Sequence, residues 1–150
     1  MLQLNINYLA VLAAAGVAFA LGMAWYSPML FGKQWQKAIR PKDDQPLAEG
    51  WGEKSMTEMM KGKDMKRIFS LSFLGSVLMA FMLAQFIRLT GSTAGLEGAL
   101  LGLWAAIGFV ATTALSQVFY EGKSPTVFWI TTSYHAVSLM LMGIVLAVWR

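Results

Sequence analysis

The sequence predicts an all-α integral membrane protein, a four-transmembrane-helix bundle with one polar juxtamembrane loop or short helix, and three observations support this. Of the 150 residues, 57% are hydrophobic and only 13% are charged, and the mean hydropathy is +0.54. A soluble domain of this size needs more polar surface to cover its core. Four apolar segments lie at about residues 7–26, 68–89, 96–119 and 126–149. Each has the roughly 20 residues that a helix needs to cross about 30 Å of hydrocarbon, so residues 1–150 are predicted to form a single transmembrane domain.

The first segment is predicted to be a retained membrane helix that ends in an aromatic motif. Residues 1–7 contain no Lys or Arg, and the apolar run exceeds the hydrophobic region of a signal peptide. The motif at its end consists of Trp25, Tyr26, Ser27, Pro28, Phe31, Gly32, Lys33 and Trp35. Trp and Tyr favour the headgroup region, and Pro ends a helix. We interpret the motif as an anchoring and packing corner; the alternative is a functional motif.

The polar region of residues 27–67 fixes the predicted orientation. It holds nine of the 12 Lys and Arg residues, and basic residues concentrate in cytoplasmic loops. We therefore expect this loop to be cytoplasmic and both termini to lie on the outer side of the membrane. Ser55 and Glu58 have the spacing of a capping box and predict a surface helix that leads into the second span. Six acidic residues dilute the positive charge, which favours a solvated loop over a lipid-specific surface.

Small residues predict where the helices pack, because helices in lipid associate closely where small side chains let their backbones approach. Two stripes recur at intervals of four: Ala10, Ala14, Ala18 and Gly22 on the first helix, and Ala94, Gly98, Gly102 and Ala106 at the third. We expect the first and third helices to make the tightest contacts, with one another or across a subunit boundary. The spacing does not identify the partner, so both a single bundle and a homo-oligomer remain as alternatives.

The fourth segment carries the candidate polar site. His135, the only histidine, lies near its middle, and an ionisable group at that depth is a functional candidate by default. Residues of similar depth complete the site: Thr131, Tyr134 and Ser138 on the same helix, and Thr112 and Thr113 on the third. One interpretation is a structural hydrogen bond from His135 to a threonine hydroxyl, and the other is a hydrated group that binds or relays a proton. The first is favoured because no Asp, Glu, Lys or Arg lies near a helix centre to act as a second relay group.

Gln117 and Glu121 are one helical turn apart at the end of the third segment that is predicted to be cytoplasmic. We expect Glu121 to pair with Lys33 or Lys123 and to fix the ends of the helices, as interfacial ion pairs usually do. A polar vestibule at this end is the alternative.

The residue types and motifs in the sequence do not support several classes of function. The chain has no Cys, which removes thiolate metal sites and thiol nucleophiles, and its 11 Met residues are scattered rather than clustered around a soft metal. It contains no phosphate-binding glycine loop, nucleophile elbow or zinc-protease spacing. Basic residues are mixed with acids, which disfavours nucleic acid as a partner. We predict no catalytic residue, no cofactor and no metal.

Four motifs together resemble one known family. They are residues 25–35, 96–102, 108–113 and 134–139, and together they are similar to the bacterial membrane family called domain of unknown function 1761. The resemblance covers nearly the whole chain and is least marked between Lys42 and Lys54. It implies a small bacterial integral membrane protein and brings no activity with it.

Two hypotheses of function follow. The first is a non-enzymatic four-helix module that lies in the lipid bilayer of the bacterial inner membrane and associates with itself. The second is a small transporter or channel with a polar path near His135, and a weaker third is an enzyme subunit or lipid-interacting partner that docks through the basic loop. The sequence identifies no small-molecule or ion substrate.

Overall fold

The computed structural model describes residues 6–39 and 63–149, and every regular element in these ranges is a helix. Four helical stretches are long and apolar enough to cross a membrane: Tyr8–Trp25, Lys66–Thr90, Gly95–Glu121 and Pro125–Val148. The predicted fold class of an all-helical chain with four membrane helices is therefore confirmed. The surface helix predicted near Ser55 falls outside the described residues.

Seven helical elements make up the described ranges. They are α1 (Tyr8–Trp25), α2 (Gly32–Ala38), α3 (Lys63–Thr90), α4 (Gly95–Ala105), a π-helix called π1 (Ala106–Ala111), α5 (Thr112–Glu121) and α6 (Pro125–Val148). The third span thus consists of α4, π1 and α5 in continuous succession. Neither the helical form of α2 nor the change of helix type at π1 was predicted from the sequence.

Short polar side chains fix the starts of three spans. The Asn7 carboxamide oxygen accepts hydrogen bonds from two backbone N–H groups in the first turn of α1. Glu97 accepts backbone N–H bonds at the start of α4, and the Ser124 hydroxyl accepts one at the start of α6, where Pro125 occupies the first turn. These groups satisfy N–H donors that no helical carbonyl reaches, so each helix has a defined beginning.

The C-terminal span, α6, is the centre of the bundle. It packs against α1, α3 and α4, whereas α4 packs mainly against α6 and makes few contacts with α3. The expectation that the first and third helices pack on one another is wrong for the described chain, because α6 and α3, not α4, are the main partners of α1. The physical reason is that α6 offers small residues of its own, including the buried Gly143, to the stripe on α4.

The contact between α4 and α6 is a backbone-to-backbone contact. Gly98 lies against the carbonyl group of Gly143, and Gly102 lies against the carbonyl group of Leu139. Both of these glycines are buried, and a Cβ atom at either would overlap the facing backbone. The absence of side chains therefore sets the separation of these two helices.

The stripe on α1 faces the main apolar core. Ala10, Ala14 and Ala18 are at most 1% exposed and pack with buried residues of α3 and α6, among them Leu83, Ile87, Met142 and Leu146. Since Gly98, Gly102 and Ala106 are also buried, the two stripes are both occupied within one chain. A second copy would have to use a different surface.

Candidate functional site

His135 lies where the third span changes its helix type. Gly98 contacts Gly143, and Gly102 contacts Leu139. A step of four residues forward along α4 therefore corresponds to a step of four residues backward along α6, which is an antiparallel register. The next step of that register places Ala106, which is 1% exposed and is the first residue of π1, opposite His135. Because π-helical segments occur frequently at functional sites, this juxtaposition marks the position as a candidate.

Three polar atoms on α6 are buried without a hydrogen-bond partner among the described residues. They are Thr132 Oγ1, His135 Nδ1 and Ser138 Oγ, and Ser138 is fully buried. Ser133, on the same helix, shows the ordinary alternative, because its hydroxyl donates to the Trp129 carbonyl at 2.6 Å. An unpaired buried polar group costs about 1–3 kcal/mol, so these three positions are where α6 departs from ordinary packing.

Gln85 on α3 also has a buried polar atom without a partner among the described residues. Its Oε1 atom is buried and has no partner in the part of the chain that the structure describes.

Thr112 and Thr113 stabilise π1 instead of binding His135. Thr112 Oγ1 donates to the Gly108 carbonyl at 2.7 Å, and Thr113 Oγ1 donates to the Phe109 carbonyl at 2.6 Å. Both threonines are exposed, and the expected hydrogen bond between one of them and His135 is absent. The register that places Ala106 opposite His135 puts both threonines more than one helical turn from it, so they do not share its depth as predicted. Each hydroxyl instead bonds to a carbonyl group one turn earlier on its own helix.

Tyr134 connects α6 to the small-residue stripe of α1. Its hydroxyl donates to the Ala18 carbonyl at 3.2 Å, and a Cβ atom at Gly22 would lie 3.0 Å from the same hydroxyl oxygen. Gly22 therefore leaves the space that the phenol occupies. The Tyr134 ring also contacts Tyr26 at 5.4 Å and His135 at 4.9 Å between ring centroids. The structure thus brings His135 and the aromatic motif together through Tyr134.

The aromatic motif forms a packed corner between α1, α2 and α6. Trp25 Nε1 donates to the Ile130 carbonyl of α6 at 3.2 Å, and the Trp25 ring lies 4.9 Å from that of Phe31. Tyr26 packs edge-on against Trp35 of α2 at 5.5 Å. Gly32 is buried beneath this contact, where a Cβ atom would overlap the backbone carbonyl of Tyr26. We call this cluster the aromatic corner.

The remaining residues of the motif shape the turn or face outward. The Ser27 hydroxyl donates to the Ala24 carbonyl at 2.7 Å, and Pro28 and Lys33 are exposed. Burial raises the pKa of Tyr26 above its ordinary value, while the neighbouring Thr131 hydroxyl acts in the opposite direction. Because the ordinary value is already near 10, Tyr26 stays neutral at physiological pH and the corner carries no phenolate.

The polar residues at the end of α5 form a local network. Lys123 pairs with Glu121 at 2.9 Å and donates to the Gln117 side-chain oxygen at 3.0 Å. Of the two partners expected for Glu121, the structure selects Lys123, while Lys33 is exposed on α2. Since both charged side chains of the pair are about half exposed, it contributes at most about 1 kcal/mol. The arrangement holds the end of a helix.

The described residues do not bring metal-ligating side chains together. They contain no group of three His, Cys, Asp or Glu side chains close enough to hold a metal ion. A shallow pocket at the end of the bundle opposite the aromatic corner is lined by Asn7, Arg88 and Trp149, among others, and does not reach His135. The features that distinguish the site are therefore the unpaired atoms on α6, the adjacent π1 and the aromatic corner.

Three apolar spans packed around a fourth, with close small-residue contacts between α4 and α6, define a small multi-pass integral membrane protein. The chain belongs to the family described as protein of unknown function (DUF1761), whose model matches residues 9–147. The match includes the aromatic corner, π1 and His135, so all three lie within the family's own domain. No curated protein matches the chain. No solved structure matches it either.

Proposed function

We propose that the protein is a non-enzymatic four-helix module of the bacterial inner membrane that associates with itself. In this proposal residues 27–67 are cytoplasmic and both termini are outside. The distribution of exposed basic residues supports that orientation. Lys33, Lys37, Lys66 and Arg67 lie at the same end of the bundle as Lys123, and the opposite end has Arg88 among its described residues.

The observation that carries the proposal is an exposed stripe of small residues on the third span. The Thr112 hydroxyl donates to the Gly108 carbonyl, and the Ser116 hydroxyl donates to the Thr112 carbonyl, so the three residues are stacked one turn apart on one face. All three are exposed, and a Cβ atom at Gly108 would meet nothing within 4 Å. We call Gly108, Thr112 and Ser116 the outer stripe.

The outer stripe suits a contact between copies for two reasons. Small side chains let a second helix approach closely, and the stripes of α1 and α4 are already used within the chain. Its hydroxyls are bonded to their own helix, so an apolar partner helix covers them without leaving a donor unpaired. No residue of α5 is buried, which leaves this half of the span open to a partner.

Energy transfer between differently labelled copies in lipid vesicles tests the proposal. We expect Gly108→Leu and Ser116→Leu to reduce the transfer efficiency at every protein-to-lipid ratio, because the larger side chains keep the helices apart. Gly75→Leu is the matched control, since Gly75 is also exposed and a Cβ atom there meets nothing within 4 Å. Equal transfer in the three variants and the unchanged protein, or none in any of them, would refute association through the outer stripe.

A transporter or channel is the second candidate function, and the incomplete cover of α6 favours it. Residues 131–137 of α6 are only half-buried, whereas most of residues 138–147 are buried. The unpaired His135 Nδ1 lies in the half-buried part, about one turn before the buried part begins. A polar path would begin at the end of the bundle that holds the aromatic corner and would lead to His135.

Flux measurements on vesicles with the purified protein test this second function. A path through His135 predicts a proton or cation flux that falls in His135→Leu and persists in Lys123→Leu, a change outside the proposed path. Vesicles whose flux equals that of protein-free vesicles would exclude a proton or cation path under those conditions. A flux that His135→Leu leaves unchanged would place the path elsewhere.

A further inference from the structure

The third span has one fixed half and one weakly held half. In α4 the glycines at 98 and 102 are pressed against the α6 backbone, which fixes both the rotation and the depth of this half. In α5 no residue is buried, and only Val118 and Ala114 are even half-buried. Between the two halves lies π1, whose six residues are wound more widely than an α-helix.

We infer that π1 is a conformational switch that turns α5 about its own axis relative to α4 and α6. The hydrogen bonds of a π-helix span one residue more than those of an α-helix. When π1 converts to α-helix, the chain beyond it advances by about one residue, which is about 100° at 3.6 residues per turn. Because α4 is fixed on α6, α5 takes up the rotation.

The rotation has a defined result for the side chains of α5. Ala114 and Val118 are half-buried on the α6 side, and the residues just before them, Thr113 and Gln117, are exposed. An advance of one residue brings Thr113 to the position of Ala114 and Gln117 to that of Val118. The second state therefore turns a hydroxyl and an amide from the outer surface toward α6, the helix that carries His135.

The hydroxyls next to π1 stabilise the state that is present in this structure. Thr112 and Thr113 donate to the carbonyls of Gly108 and Phe109, which belong to π1. At the other end of α5, Gly122 has a φ of +65°, a left-handed conformation that ends the helix and lets the connection to α6 turn. The rotating segment thus lies between two points at which the backbone already departs from α-helix.

Distances between spin labels in lipid nanodiscs test the switch, and the natural absence of Cys makes the labelling specific. One labelled pair joins Phe119 of α5, 75% exposed, to Leu12 of α1, 48% exposed. The control pair joins Leu12 to Trp104 of α4, 69% exposed. A rotation of about 100° on a helix about 10 Å in diameter displaces a side chain by about 8 Å. We expect two distances for the first pair and one for the control.

Two variants test whether π1 causes the second distance of the Phe119–Leu12 pair. Thr112→Val with Thr113→Val removes both hydroxyls that bond to π1, and we expect it to raise the population of the second distance at least twofold. Gly108→Ala should act in the same direction, because alanine favours α-helix and a Cβ atom meets nothing there, so this variant keeps the fold. Ser133→Ala is the control, since its hydroxyl bonds to a carbonyl of α6 and lies outside both π1 and the outer stripe.

Dilution of the labelled protein with unlabelled protein separates this inference from self-association. The two distances for the Phe119 pair persist on dilution if they arise within one chain, whether or not copies associate. A single distance that neither Gly108→Ala nor the double threonine variant changes would overturn the switch. If the distance distribution of the Leu12–Trp104 control pair were as broad as that of the Phe119 pair, the switch would be overturned as well, because the whole bundle would then be moving.

Discussion

Replacing Gly102 by alanine tests the central contact of the bundle. The added Cβ atom would overlap the Leu139 carbonyl group, which is backbone and cannot rotate away. Because ordinary contacts between such atoms are near 3.5 Å, α4 and α6 must separate by about 1 Å along this contact. Forcing extra volume into a packed site costs about 1–3 kcal/mol, and we expect a net loss of stability near the middle of that range.

Gly75→Ala is the matched comparison. The substitution is the same and also lies in a membrane helix, but a Cβ atom at this position meets nothing within 4 Å. Alanine in place of glycine then stabilises the helix by about 0.5–1 kcal/mol, since less backbone entropy is lost. The two variants should therefore change stability in opposite directions.

Reversible unfolding in mixed micelles measures both variants. Increasing mole fractions of sodium dodecyl sulfate are added to the protein in a mild detergent, and loss of structure is followed by near-ultraviolet circular dichroism. We expect Gly102→Ala to unfold at a lower mole fraction than the unchanged protein and Gly75→Ala at the same or a higher one. Coincident transitions for the two variants would show that the α4 and α6 backbones are not in contact at Gly102.

Three further substitutions address hydrogen bonds near the candidate site, each measured by the same unfolding assay. Tyr134→Phe removes the donor to the Ala18 carbonyl and should cost about 0.5–1.5 kcal/mol. Trp25→Phe removes the donor to the Ile130 carbonyl, leaves an aromatic ring in the corner and should cost at least about 1 kcal/mol. Ser138→Ala removes a buried hydroxyl that has no partner and should be neutral or stabilising.

Each of these substitutions has a control that makes the same type of substitution at another position. Tyr120→Phe and Trp104→Phe affect side chains that are 90% and 69% exposed, and both should leave the transition unchanged. Ser133→Ala removes a hydroxyl that is bonded to its own helix and should have only a small effect. Equal losses in a test variant and its control would refute the assigned hydrogen bond. A loss above about 1 kcal/mol in Ser138→Ala would show that this hydroxyl is paired.

The membrane spans could be predicted because they depend only on the local run of apolar residues. The small-residue stripes likewise predicted which positions pack closely, and Gly98 and Gly102 do so. The partner of each stripe could not be predicted, because a small side chain determines how near a helix can come and not which helix comes. That choice depends on the whole arrangement around α6.

The candidate site was only partly predictable for a similar reason. The register that places Ala106 opposite His135 places Thr112 and Thr113 opposite Trp129 and Phe128, more than one helical turn from His135, so the prediction that they share its depth was wrong. A threonine in a helix has a carbonyl of its own preceding turn within reach, and this local bond replaces the expected one. The sequence Ala-Ile-Gly-Phe-Val-Ala of π1 reads as ordinary apolar helix, and only the two threonines that follow it gave a signal.

The central position of α6 also determines the order in which the protein can assemble. During synthesis the third span enters the bilayer before the fourth, yet its main partner in the finished bundle is that fourth helix. Until α6 is inserted, the surface of α4 at Gly98 and Gly102 faces lipid, while α1 and α3 already pack against each other. Insertion of the last helix is therefore the step that joins two separate parts into one bundle, and a chain released before that step would hold a paired hairpin and one unattached span.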